Sequence, residues 1–309
     1  RERAKEFADI HGDKYLNVPA EERDQALIDY ALPKNIEKMR ADLEKYRIVY
    51  DKWFAESTLH KDGELEEAIQ RLTDRGMTYQ KDGALWYKAT AIGGEKDEVL
   101  VRQDGTSTYF AADIAYHYNK FVKRGFDRVI NIWGADHHGH VARMKGAMDA
   151  LGIGGNRLDI ILIQLVRLVS GGQIVRMSKR TGKMIQLADL LDEVPVDAAR
   201  FFFNLREASS QLDFDMDLAV KRDNQNPVYY VQYAYARICS LLKNLAEEGI
   251  KPRPCTDEEL ALLTRPEETE LIRQLSVCTG EIIASARDYD PARMMRYLIA
   301  LATTFHKFY

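Results

Sequence analysis

Between about residues 85 and 218 short apolar runs alternate with helical patterns, and after about residue 219 every segment reads as helix. Strand-like LWYKAT and EVLVRQ come first. A helix from about 108 to 124 stopped by Gly125 follows, then the strand RVINIW, a helix from 140 stopped by Gly152, and the strand DIILIQL. Strands joined through helices return in the same direction, so the expected fold class is α/β, with a doubly wound, Rossmann-like parallel sheet. LVRLVSGGQIVRM reads as a hairpin around Ser170, Gly171 and Gly172, followed by short helices in LADLLDEV and VDAARFFFNL. Asn226 is a suitable N-cap with Pro227 at the first helical position, and Gly249 ends that helix some turns later. Ahead of the alternation, Ile36, Met39, Leu43, Tyr46 and Val49, then Leu65, Ile69 and Leu72, fall at helical spacing in a charged background. The expected units are a helical segment over 1–95, a nucleotide-binding α/β unit over 96–218 and an all-α bundle over 219–309.

Composition narrows the classes. A formal net charge of -4 over 309 residues gives no global basic signal, so any nucleic-acid contact has to come from local Lys and Arg patches. Cys239, Cys255 and Cys278 show no CxxC spacing and no signal peptide precedes them, which points to free thiols in a reducing, cytoplasmic setting. No apolar run reaches the roughly 18 residues of a membrane helix. The chain opens at Arg1 inside one charged helical pattern and closes at Tyr309 inside another, and it reads as an internal stretch of a longer protein.

Four motifs carry chemistry. The first, V-R-M-S-K-R-T-G at 175–182, sets Arg176, Lys179 and Arg180 beside Ser178 and Gly182 directly after the hairpin. A loop of this kind can grip a triphosphate as charge develops on the leaving pyrophosphate, though on composition alone it is equally an exposed basic turn. The second, I-W-G-A-D-H-H-G-H at 132–140, joins a strand end to a helix start. Such loops form the binding crevice of doubly wound sheets, where Gly134 permits close backbone approach and Asp136 can accept from ribose hydroxyls. Its three histidines have no Cys nearby to complete a tetrahedral zinc site, so no metal is assigned to them. The third, D-G-T-S-T-Y-F-A-A-D-I-A-Y at 104–116, offers Thr106 or Ser107 as a cap. It places Tyr109, Asp113 and Tyr116 on one helix face, and a carboxylate beside phenols suits a guanidinium. The fourth, 189–237, is mostly amphipathic packing. It includes Tyr230, Gln232, Tyr233 and Arg237, types that stack on or hydrogen-bond unpaired bases.

Taken together the motifs resemble those of the arginyl-tRNA synthetases, a class I family. V-R-M-S-K-R-T-G is similar to the KMSKS loop with Arg176 in place of the first Lys, G-A-D-H-H-G to the G-x-D motif, and G-T-x-x-Y-x-x-x-D to the arginine-binding helix. The resemblance implies catalytic roles for Lys179, Arg180 and Ser178, and arginine binding by Tyr109, Asp113 and His137. It also implies ATP contacts from Gly134, Asp136, Val175, Met177 and Lys179, and tRNA contacts from Tyr230, Gln232, Tyr233 and Arg237 on a DALR-type anticodon-binding domain. ATP and Mg2+ are the implied cofactors, L-arginine and tRNA(Arg) the implied partners, and a monomer the implied state. His137 to His140 also match H-x-G-H, but in the family that signature lies on the first strand-helix turn, at least one further crossover before the loop. The HIGH segment is therefore expected upstream of Arg1, leaving this stretch with the second half of the ATP site and without activity of its own.

Two other readings fit part of the pattern. One is a class I-like nucleotidyltransferase or ligase that adenylates a small carboxylate without tRNA, for which the helical region after 219 is superfluous. The other is a non-catalytic RNA-binding paralogue.

Overall fold

The computed structural model describes residues 2–176 and 185–309. The chain begins with α1 (Glu2–His11) and the long α2 (Ala20–Lys45), which carries no fully buried side chain. Next come α3 (Ser57–Lys61), α4 (Glu64–Asp74), β1 (Thr78–Lys81), β2 (Ala84–Tyr87) and β3 (Glu98–Val101). The strand-like runs in LWYKAT and EVLVRQ are strands, but they join an antiparallel sheet in the order β1-β2-β3 and stay out of the parallel one. The cause is local: Asp82 and Gly83 both take positive φ, 52° and 73°, which closes a two-residue hairpin between β1 and β2.

The α/β part follows with α5 (Tyr109–Tyr118), β4 (Val129–Gly134), α6 (His138–Ala150) and β5 (Leu158–Ile163). β4 and β5 pair in parallel from Val129 opposite Leu158 to Gly134 opposite Ile163, with α6 as the crossover. α5 runs on into a π-helical turn, Asn119–Lys123, and then stops where Gly125 takes φ 72°. The cap of α5 is Thr108, whose hydroxyl accepts from Ala111 N at 3.3 Å, and not Thr106 or Ser107. Thr106 is bound through N and Oγ1 to Asp104 Oδ1 and the Ser107 backbone bridges to Val101, so the helix starts only after Thr108, whose hydroxyl also donates to Val99 O at 2.8 Å. One core joins these pieces: Leu59, Leu65, Leu72, Tyr87, Leu100, Ile114, Met144, Met148, Leu151 and Leu158 are all at or near full burial.

A second core lies under β6 (Val166–Ser170), β7 (Gln173–Val175), α7 (Leu187–Glu193), α8 (Val196–Phe203), β8 (Leu212–Asp215) and α9 (Met216–Val220). Gly171 and Gly172, at φ 59° and 73°, make the two-residue turn of the β6–β7 hairpin. β8 lies parallel to β6 and was invisible in the sequence because it is only four residues long, with Leu212 and Phe214 turned inward. The bundle comprises α10 (Pro227–Glu247), α11 (Asp257–Leu260), α12 (Pro266–Ser276), α13 (Cys278–Asp288) and α14 (Ala292–Phe308). Asn226 caps α10 by accepting from Val228 N at 3.0 Å, with Pro227 at its first position. Tyr289 ties the bundle to the sheet. It takes φ 53° and donates its hydroxyl to Asp159 Oδ2 at 2.8 Å, which Arg128 also holds. Among the described residues no helix is long and apolar enough to cross a membrane.

Candidate active site

β4 ends at Gly134, and Ala135–His137 forms a single 3-10 turn before α6 begins at His138. A cavity of about 280 Å³ opens there between α5, β4 and the start of α6. Alternation along β4 turns Asn131 and Trp133 to the same side, and helical spacing along α5 presents Asp113, Tyr116 and His117 to them. His137 and His140 complete the wall from α6.

Asp113 is the cavity's acid. Its side chain is 48 % exposed, and His140 Nε2 lies 3.2 Å from Oδ2. Arg143, which has only N–H donors, points Nη2 at His140 Nδ1 from 2.8 Å and gives Nη1 to Glu98 Oε1 at 2.8 Å. With Nδ1 committed as an acceptor, His140 must carry its proton on Nε2 and donate to Asp113. The run Glu98–Arg143–His140 thus fixes the carboxylate from behind and leaves its cavity side to a ligand. Tyr116 and Trp133 supply aromatic walls, and Trp133 lies 5.3 Å from the His140 ring.

His117 is a structural neighbour of this acid. Its Nδ1–H donates to the Asp113 carbonyl oxygen at 2.7 Å, and its Nε2 accepts from the Asn131 amide at 2.6 Å. Burial, reinforced by Lys120, pushes its pKa down to about 4. Above about pH 6.5 His117 is neutral folded and unfolded. Below it the unfolded chain takes a proton that the folded chain refuses until about pH 4, so stability falls across that window by about 3 kcal/mol. Urea unfolding at pH 7.5 and 4.5 should reveal this loss, and His117→Gln should remove that part of it; an equal pH effect in the variant contradicts the assignment.

The structure brings Asp113, Tyr116 and His137 to one cavity but leaves Tyr109 outside it. Tyr109 is the first residue of α5 and stands 85 % exposed beside a separate cavity of about 270 Å³ with Glu56, His60 and Arg102. Asp136 has a side chain 83 % exposed, and a Cβ built on Gly134 would come within 2.5 Å of its Oδ1. Val175 ends β7, while Met177, Ser178, Lys179 and Arg180 lie outside the described residues. Among the described residues no three His, Cys, Asp or Glu side chains converge as a lone metal ion would require. Mg2+ does not need such a cluster, because it binds through one or two carboxylates and the phosphates of its nucleotide.

On α10 the four residues expected at tRNA divide. Tyr233 lies parallel to Tyr229, 6.2 Å between ring centroids, and remains half exposed. Tyr230 packs on His306 at 4.7 Å, Gln232 reaches Asp197 at 3.5 Å, and Arg237 donates to His306 Nδ1 at 3.2 Å while covering the Tyr309 ring at 3.8 Å. Tyr235, 70 % exposed, is the open aromatic that sequence reasoning passed over.

The chain is similar to known proteins over its whole length. Residues 11–220 match the family described as tRNA synthetases class I (R), catalytic domain, and residues 231–309 match the DALR anticodon binding domain. The chain is 59 % identical over 308 residues to an arginine–tRNA ligase of Caldanaerobacter subterraneus subsp. tengcongensis and 58 % identical to that of Ruminiclostridium cellulolyticum, covering 100 % of this chain and 55 % of each relative. The chain therefore spans about half the length of the curated relatives it matches. A solved Campylobacter jejuni structure described as an arginyl-tRNA synthetase superposes with a TM-score of 0.85 at 34 % identity, covering all of this chain and 66 % of that one. A catalytic-family match across two thirds of the sequence, with a DALR match behind it, places the chain in the class I arginyl-tRNA synthetase family.

Proposed function

We propose that this chain supplies the arginine-reading and part of the ATP-handling surface of an arginine–tRNA ligase, which converts L-arginine and ATP to arginyl-adenylate and passes the arginyl group to the 3′ end of tRNA(Arg). The observation that carries this reading is the Asp113 carboxylate, pinned by His140 and facing a cavity with Tyr116 and Trp133 in its walls. A guanidinium meets a carboxylate through two parallel N–H donors and gains from aromatic faces, so the residue types and the ligand agree. In activation the arginine carboxylate attacks the α-phosphate, forming the acyl-phosphate bond as the bond to pyrophosphate breaks. Gly134 and Asp136 are assigned to adenosine at the end of β4; Val175, Met177 and Lys179 are assigned to ATP, and Ser178, Lys179 and Arg180 to catalysis. Mg2+ supplies charge neutralisation on the ATP phosphates when bound. Tyr109 is assigned to the substrate from outside the cavity, His137 from within it, and Tyr233 with its neighbours on α10 to unpaired tRNA bases. A monomer acting in the cytoplasm completes the proposal.

Gly134 gives a separable test. Its φ of -64° and ψ of 149° suit any residue, and the only atom a Cβ would crowd belongs to an exposed, movable carboxylate. Gly134→Ala is expected to keep stability within about 0.5 kcal/mol of wild type. In a protein of the relatives' full length it should also raise the KM for ATP severalfold; an unchanged KM removes Gly134 from the ATP site. The function as a whole is tested by charging bulk tRNA with each of the twenty labelled amino acids, using this chain and a version extended upstream to its relatives' length. Only the extended protein is expected to charge, and only with arginine; charging of a different amino acid overturns the reading.

A further inference from the structure

Asp113 is not the only charged group at the cavity. Lys120 lies seven residues on, in the π-helical turn that continues α5, and its ammonium sits 4.2 Å from the centroid of the Tyr116 ring. It also donates to Asn131 Oδ1 at 3.1 Å. Asn131 is buried, and its amide is oriented from both ends, because Nδ2 is spent on His117 Nε2 at 2.6 Å. The oxygen therefore faces Lys120 as an acceptor. The cavity thus offers a cation two stations, the Asp113 carboxylate and the Tyr116 face with Asn131 Oδ1. The protein's own ammonium fills the second.

We propose that Lys120 is a specificity determinant: it occupies the ammonium station of the cavity and leaves a substrate only the Asp113 station, which favours a planar guanidinium over a compact ammonium. This rests on the reading of the cavity as the arginine site. A guanidinium can take Asp113 with two parallel donors and sheds its weak hydration easily. An ammonium is a strongly hydrated point charge that needs several acceptors to replace its water, and here the Asn131 oxygen and the Tyr116 face are already held by Lys120. Burial lowers the pKa of Lys120 to about 8, which still leaves it mostly protonated at pH 7, so it repels a second cation from the same place. The other charged or titratable groups around it are Asp113 and His117 on its own helix, Arg124 beyond it, and His137 and His140 across the cavity.

The test is calorimetric titration of the full 309-residue chain and its Lys120→Met variant with L-arginine and with L-lysine at pH 7. The variant is expected to bind lysine about tenfold more tightly or better, the scale of one desolvated cation–π contact, while arginine affinity moves far less. The arginine-to-lysine affinity ratio then falls. Lys120→Arg, which keeps a cation on the Tyr116 face, should hold the wild-type ratio, and adding Tyr116→Leu to Lys120→Met should take the lysine gain away. Lys120→Gln retains a donor for Asn131 and should show the same fall if the Met variant does not fold. Arginine binding with an unchanged ratio in a folded variant overturns the role of Lys120 alone. A wild-type chain that binds no arginine overturns the cavity reading and this inference together.

Discussion

Asp113→Asn is expected to weaken L-arginine binding by about 2 kcal/mol or more, roughly a thirtyfold loss, because a charged partner is left without its counter-charge in a partly closed site. The substitution keeps the shape of the side chain and the amide oxygen can still accept from His140 Nε2, so the fold has little reason to respond. The loss should therefore appear in calorimetric titration with arginine and be absent from the melting curve. Unchanged arginine affinity would remove Asp113 from the pocket. A matching loss of stability would instead make Asp113 a structural residue that orients α5 against α6 through His140.

Lys179→Ala is expected to lower the rate of adenylate formation by about 10² to 10³, some 3 to 4 kcal/mol of barrier, while arginine binding changes little. The reason is chemical: an ammonium aimed at charge that develops only as pyrophosphate leaves stabilises the transition state and not the ground state. Lys179 lies outside the described residues, so the expectation rests on its place in the 175–182 motif, directly after the β6–β7 hairpin. ATP–pyrophosphate exchange with tRNA present, in a protein of the relatives' full length, measures it. Equal losses in rate and in arginine affinity would contradict the role.

Local signals carried much of the fold into the sequence. Gly125, Gly152 and Asn226 mark real helix ends because positive φ and capping are properties of single residues. The strand patterns in 84–101 do not name their partners, but the Asp82-Gly83 dipeptide is a legible hairpin signal that pairs β2 with β1. The third motif was read in part. Helical spacing put Asp113 and Tyr116 on one face, and both line the cavity, but that same spacing included Tyr109, which projects from the end of α5 into solvent. By residue type and spacing alone His140 is one of a histidine cluster. Its hydrogen bond to Asp113 spans 27 positions and exists because α5 and α6 pack on one sheet, a fact with no local signature. Lys120 and Asn131 could have been found by extending the same arithmetic, i+7 along α5 and i–2 from Trp133 on β4.

Reading of a guanidinium through Asp113 is tested by titration of the chain with L-arginine and with L-citrulline, its neutral urea analogue of nearly the same shape. Saturable binding of arginine is expected, with citrulline weaker by at least about tenfold and a sharply reduced difference between the two in Asp113→Asn. Equal binding of both ligands by the wild-type chain, or a preference for arginine that survives Asp113→Asn intact, would contradict that reading.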